Sequence, residues 1–306
     1  YVKVNITGGK IYSPNSYGIY NNYSNVSYNI QNAVIDTYAD GLNIRYNSLV
    51  IDNTEITVRG DYSGIWDGRE NVTVTNTTIK SEGNGISHYS DGGTYTLNVK
   101  DSNISGKTNG IYGYTNGDDR YVIVNVESGK IEGGLYGIQS NRKSVTVNVG
   151  LDDDNISITN PEIIGSQYGI YMPSGVLNIY DGVFKANNDT SAISGVVRII
   201  PSGYQITNNV ETIDEENSKV TSNLNEKEKF LQVGDETFNS FSGAMDYIGE
   251  NLSNNGVINF ISGVEISEVV EIPSDYNIVL DLNGYSETFN NAITNNGSLK
   301  LIDSSE

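Results

Sequence analysis

Two short clusters in the sequence carry side chains capable of acid–base chemistry. Trp66, Asp67 and Arg69 follow one Gly-Ile step, and His88, Tyr89 and Asp91 follow the next, 21 residues on. Carboxylates beside a base and an aromatic platform are the equipment of glycoside cleavage, in which one group protonates the leaving oxygen and a second attacks or activates water. Asp67 and His88 each lie two residues after the aliphatic residue of their step, so they are expected as stacked neighbours, with Arg69 and Asp91 nearby. The plainer reading of the same four residues is ordinary polar corners, because catalytic groups are a small minority of surface charges. His88 is the only histidine and cysteine is absent, which excludes a multi-histidine or thiolate metal site within one chain. Calcium is the one ion the remaining acidic groups could take, at Asp118 and Asp119 or at Asp152 and Asp154. Calcium needs six to eight oxygens from a shaped loop. Adjacent aspartates point apart, so a solvated acidic loop is the simpler account.

A second candidate is a row of rings. The residue after the aliphatic of each Gly-Ile step reads Tyr20, Asn43, Trp66, Ser87, Tyr112, Gln139, Tyr171 and Ser194. Aromatic and polar residues alternate without exception. If the steps stack at strand spacing, Tyr20, Trp66, Tyr112 and Tyr171 recur at about 9.5 Å, twice the inter-strand distance. That spacing is comparable to a disaccharide in an extended glycan, and a row of exposed apolar groups marks a contact surface. The opposing account is chance alternation in a tyrosine-rich chain.

These positions require a scaffold that repeats. Tyr17-Gly18-Ile19-Tyr20 returns as Asp40-Gly41-Leu42-Asn43, Ser63-Gly64-Ile65-Trp66, Asn84-Gly85-Ile86-Ser87, Asn109-Gly110-Ile111-Tyr112, Tyr136-Gly137-Ile138-Gln139 and Tyr168-Gly169-Ile170-Tyr171. Ser191-Ala192-Ile193-Ser194 is a degraded copy. The glycines are 23, 23, 21, 25, 27 and 32 residues apart. A period in this range marks a solenoid, with the longer gaps as corner insertions. Ile11, Ile35, Ile56, Ile79, Ile104, Ile131, Ile163 and Phe184 precede the steps by seven to nine residues. Before them come alternating stretches such as Leu97-Asn98-Val99, Val124-Asn125-Val126 and Val147-Asn148-Val149. Period two puts the aliphatics inside and the asparagines outside. The expected fold is an all-β, right-handed parallel β-helix of about eight coils with three strands each, the hand following from the rule for parallel crossovers.

The text changes near residue 205. Residues 1–205 carry 20 acidic and 14 basic residues, and residues 206–306 carry 18 and 4, of a formal net charge of −20. That charge argues against nucleic acid and against anionic membrane surfaces. No apolar run approaches the roughly 18 residues of a membrane span. Residues 206–236 read as an acidic linker. Phe241, Ala244, Met245, Ile248 and Leu252 then mark one face of an amphipathic helix within Phe238 to Leu252. Val257, Ile278 and Leu299, 21 residues apart, read as the first coils of a second unit over 237–306, with the helix closing its end. The chain, which starts at Tyr1, reads as a piece of something longer.

The segment Phe241 to Leu282, above all Leu280-Asp281-Leu282-Asn283-Gly284, resembles the capping segment of β-helix domains in large surface proteins of low-GC Gram-positive bacteria. Gly-Gly-Lys-Ile at 8–11 and Tyr-Gly-Ile-Tyr at 17–20 are similar to the repeats of the same proteins. The resemblance implies pectin-lyase-like architecture and a secreted or cell-wall-attached adhesin, joined to further modules of the same chain. β-Helices are also polysaccharide lyases and hydrolases. Those sites need an arginine or lysine base with a calcium-binding carboxylate cluster, or three aspartates with a histidine and an Arg-x-Lys element. None of the six arginines begins an Arg-x-Lys. The expectation is therefore a non-enzymatic rigid spacer that binds an extended glycan or host surface, with no cofactor. The alternative is a lyase or glycosidase with its site on coils three and four.

Overall fold

In a computed structural model the chain is a parallel β-solenoid. The structure describes residues 2–46, 48–68, 71–117, 119–151, 156, 159–196, 198–201, 203–214 and 217–305. It divides into two compact units: Tyr1–Ile200 with Ile206–Leu224, and Pro201–Gln205 with Asn225–Glu306. About twelve turns are present in all, against about eight expected for the first unit.

In the first unit each coil contributes one strand to each of three sheets. The first sheet holds nine strands, from Val2–Thr7 to Arg198–Ile199, and the third holds eight, from Ile19–Asn21 to Ile193–Gly195. Between them in each coil runs the second sheet, which starts at Lys10–Ser13 and reaches Val183–Ala186. Every coil-to-coil pairing in these stacks is parallel and in register, as in Ile56 to Ile79 to Ile104 to Ile131 to Ile163. The inward row of the third sheet is Ile65, Ile86, Ile111, Ile138 and Ile170, all fully buried. Burying such a side chain stabilises by about 1.5–3 kcal/mol, and the stacking makes that burial continuous along the axis.

The glycine of each step has a steric reason. A Cβ on Gly85 would lie 2.5 Å from the Gly110 carbonyl oxygen and 2.5 Å from Ile104 Cγ2, and one on Gly110 would lie 2.7 Å from the Gly137 oxygen. Successive coils touch through backbone at this corner, so no side chain fits. Ala192 is tolerated in the degraded copy because it stands just before the last strand of its stack, Ile193–Gly195, and its N–H is taken by Ser222 Oγ at 2.9 Å.

The corner between the first and second sheets is built differently. Asn53, Asn76 and Asp101 adopt left-handed backbone, with φ of 45°, 48° and 47°, a conformation these residue types tolerate. The next residue in each case turns a hydroxyl inward. Ser102 Oγ accepts the Thr77 N–H at 3.1 Å and donates to the Lys100 carbonyl at 2.7 Å, and Thr77 Oγ1 donates to the Thr75 carbonyl at 2.7 Å.

The stretch expected as a linker is folded. Ser218–Glu226 runs antiparallel to Val183–Ala186, pairing Phe184 with Ser222 and Ala186 with Val220, and Tyr204–Thr212 adds the outermost strand of that sheet. Val220 and Leu224 are buried. Between the flanking charges Lys219 and Glu226, uncharged polar Thr221, Asn223 and Asn225 alternate with inward Val220, Ser222 and Leu224, a strand period that the neighbouring charge clusters hid.

In the second unit a helix, Phe241–Asn251, is capped by Ser240, whose Oγ accepts the Gly243 N–H at 3.1 Å. It buries Phe241, Ala244, Met245 and Ile248 in a cluster with Leu231, Ile258 and Phe260. Leu252, expected on that face, is the C-cap and is 39% exposed. Asn255–Phe260, Asn277–Asp281 and Ser298–Ile302 stack in parallel. Ile278 aligns with Leu299 as the 21-residue spacing requires, but its other partner is Gly256, one residue from the expected Val257. Ile258, not the exposed Val257, faces the core.

Candidate functional site

Strand alternation decides where the acid–base residues point. In Ile65–Gly68 and Ile86–Ser90 the rings and hydroxyls at Trp66 and Ser87 face outward, so Asp67 and His88 face the core. They are in register, as expected, and His88 Nδ1 lies 2.6 Å from Asp67 Oδ1. Both side chains are fully buried. The column continues to Ile44 on one side and Gly113 on the other. His88 Nε2 and Asp67 Oδ2 make no hydrogen bond with the described residues. Burial pushes the Asp67 carboxyl above its usual range, against the opposing pull of His88. The expectation of a substrate-facing pair is therefore corrected: a glycan has no path to it. Asp91 lies in the turn after the strand, and Arg69 lies outside the described residues.

The outward row is in register throughout, Tyr20 with Asn43, Asn43 with Trp66, Trp66 with Ser87, Ser87 with Tyr112, Tyr112 with Gln139 and Gln139 with Tyr171. Tyr20 is 56% exposed, and Trp66, Tyr112 and Tyr171 are half-buried. The polar members between them are held down. Asn43 donates to Asp40 Oδ2 at 2.7 Å, and Ser87 Oγ sits 2.8 Å from Ser63 Oγ.

The rings are not separate platforms. Tyr89 and Tyr114, two residues further along their strands, join the row into a packed group. Trp66 to Tyr89 is 6.2 Å, Tyr89 to Tyr114 is 4.7 Å and Tyr114 to Tyr112 is 4.9 Å between centroids. The Arg45 guanidinium covers Trp66 at 4.3 Å, a cation–π contact. Burial pushes the Tyr114 hydroxyl up to about 12. Tyr20 pairs with Tyr17 at 5.3 Å, and Tyr171 stacks on Tyr136 at 5.0 Å. Three aromatic groups thus stand along one face. Reading a single column of the repeat missed Tyr89 and Tyr114, although they share the outward phase of Ser87 and Tyr112.

No protein-family model, no curated protein and no solved structure matches the chain.

The acidic candidates for calcium add little. Asp119 has its side chain 87% exposed, 3.7 Å from Arg120 Nε. Asp118, Asp152 and Asp154 lie outside the described residues. Among the described residues no three histidine or acidic side chains are grouped to hold a metal, and no helix is long and apolar enough to cross a membrane.

Proposed function

We propose that this chain is a non-catalytic module of a bacterial surface protein, a rigid spacer whose third sheet binds an extended carbohydrate or host-surface glycan. The observation that carries the reading is the register of Tyr20, Trp66, Tyr112 and Tyr171 in one outward row across seven steps of the repeat. Aromatic groups at successive levels suit a ligand that is long and repeating, because a compact sugar reaches only one of them. The secreted or wall-attached location rests on the sequence resemblance. The reading needs no cofactor. Of the four residues Asp67, Arg69, His88 and Asp91 that a lyase or glycosidase could draw on, Asp67 and His88 are enclosed by the core, which favours the non-catalytic reading.

The test is a glycan array followed by titration with a length series of any ligand found. Each ring contact is worth about 1 kcal/mol, so monosaccharides should bind negligibly and affinity should climb with chain length. Tyr20→Ala and Tyr112→Ala should each weaken long chains about fivefold. Absence of any glycan ligand, or shortening of the chains during incubation with or without calcium, would remove the proposal.

A further inference from the structure

The first sheet carries a second surface of quite different chemistry. Asn98, Asn125, Asn148 and Asn178 align on successive strands and bond amide to amide, at 2.7, 2.6 and 2.6 Å. Above this ladder lies a trough of about 400 Å³, floored by Thr73, Asn98, Asn125 and Asn148. One side is walled by Lys100 and Glu127, which pair with each other, and beyond Gly150 by Leu151 and Tyr180. Leu151 is 48% exposed. The volume is that of a small-molecule or oligosaccharide site.

We propose that this trough binds a neutral, extended oligosaccharide laid along the solenoid axis, independently of the aromatic face. Each asparagine amide has two N–H donors and two acceptor lone pairs. The ladder uses one of each, which leaves one donor and one acceptor per coil for a ligand. Sugar hydroxyls both donate and accept, so they match that pair. The repeat is the strand spacing, about 4.8 Å, close to the advance of one hexose in an extended chain. A polypeptide strand on the same line repeats every two residues, about 6.7 Å, and falls out of step. Charge selects further. Lys100 and Glu127 neutralise each other, and the chain as a whole has a formal charge of −20, which disfavours uronate or sulfated polymers. Tyr180 and Leu151 offer apolar surface to the C–H face of a ring, the usual complement to a hydrogen-bonding floor.

Side-chain amide NMR of the ¹⁵N-labelled full chain tests this directly. The probes are linear neutral hexasaccharides of glucose, mannose and N-acetylglucosamine, each beside its monosaccharide. A hexasaccharide should shift the amide signals of Asn98, Asn125 and Asn148, and its monosaccharide should not. Tyr180→Ala and Leu151→Glu should each weaken binding about fivefold or more at an unchanged melting temperature. Should Tyr180→Ala lower the melting temperature, Leu151→Glu decides, since that side chain is exposed. Hexasaccharides that leave all three amides unmoved overturn the trough. If the Trp66 indole signal moves while the amides stay still, the trough fails and the aromatic face stands.

Discussion

Asp67 and His88 share a hydrogen bond in a place no ligand reaches, so their chemistry bears on stability. Burial raises the Asp67 carboxyl above its ordinary 3.8, and the folded chain therefore holds that proton more tightly than the unfolded chain does. By linkage, the stabilisation is fully present below about pH 3.8 and is lost as pH rises through the raised value. The melting temperature of the wild type relative to Asp67→Asn should accordingly decline as pH rises above about 4, and a flat difference would refute it. Asp67→Ala should cost on the order of 3 kcal/mol, because it orphans a buried imidazole. Trp66, the only tryptophan, neighbours the pair on the same strand and gives a fluorescence report of any local opening. The sequence disclosed that these two residues are stacked, since both follow their aliphatic by two. The same alternation that turns Trp66 and Ser87 outward turns Asp67 and His88 inward, and the acid–base reading failed because it did not carry that phase one residue further.

At the scale of the element, the strands and the steps were legible and the corners were not. Aliphatic rows repeat every coil and announce themselves, and so does a glycine whose Cβ would strike the next coil. The hydroxyl corner hides because threonine and serine are common in this chain outside it. Its weight is measurable. Ser102→Ala removes the acceptor of the buried Thr77 N–H, and an unsatisfied buried donor costs about 1–3 kcal/mol. Ser105→Ala, on the outward phase of the neighbouring strand position, should change stability by a few tenths of a kcal/mol at most, as surface substitutions do. Denaturant midpoints of the two variants compare them directly, and equal midpoints would deny the corner its role. Ile111→Ala, in the buried row, should cost about 2–5 kcal/mol by the cavity it leaves. An Ile111→Ala midpoint matching the wild type would show that the row is not packed.

At the scale of the molecule, a solenoid must do something with its last edge, because an unpaired strand invites other chains to pair with it. The second sheet of the first unit ends on an antiparallel hairpin where every earlier neighbour is parallel. Reversal of direction stops the stack, since the hairpin offers no continuation of the three-sided coil. Its sequence is charged enough to be read as a linker, and that is compatible with its place: the outward residues of a terminal strand meet water, and charge there discourages further pairing. Val220 is the anchor, buried in the first unit's core and paired with Ala186. In the wild type, Ser218–Leu224 should resist limited proteolysis, because that strand pairs with Val183–Ala186 and its inward Val220, Ser222 and Leu224 are buried. Val220→Asp would place a charge in that core and should release the hairpin without unwinding the coils before it. Two consequences should appear together: early cleavage within 218–224, leaving a stable fragment of the preceding coils, and concentration-dependent association through the uncovered edge at Val183–Ala186. Early cleavage of the wild type at the same place, or a Val220→Asp chain that stays intact and monomeric, would show that this hairpin is not what ends the stack.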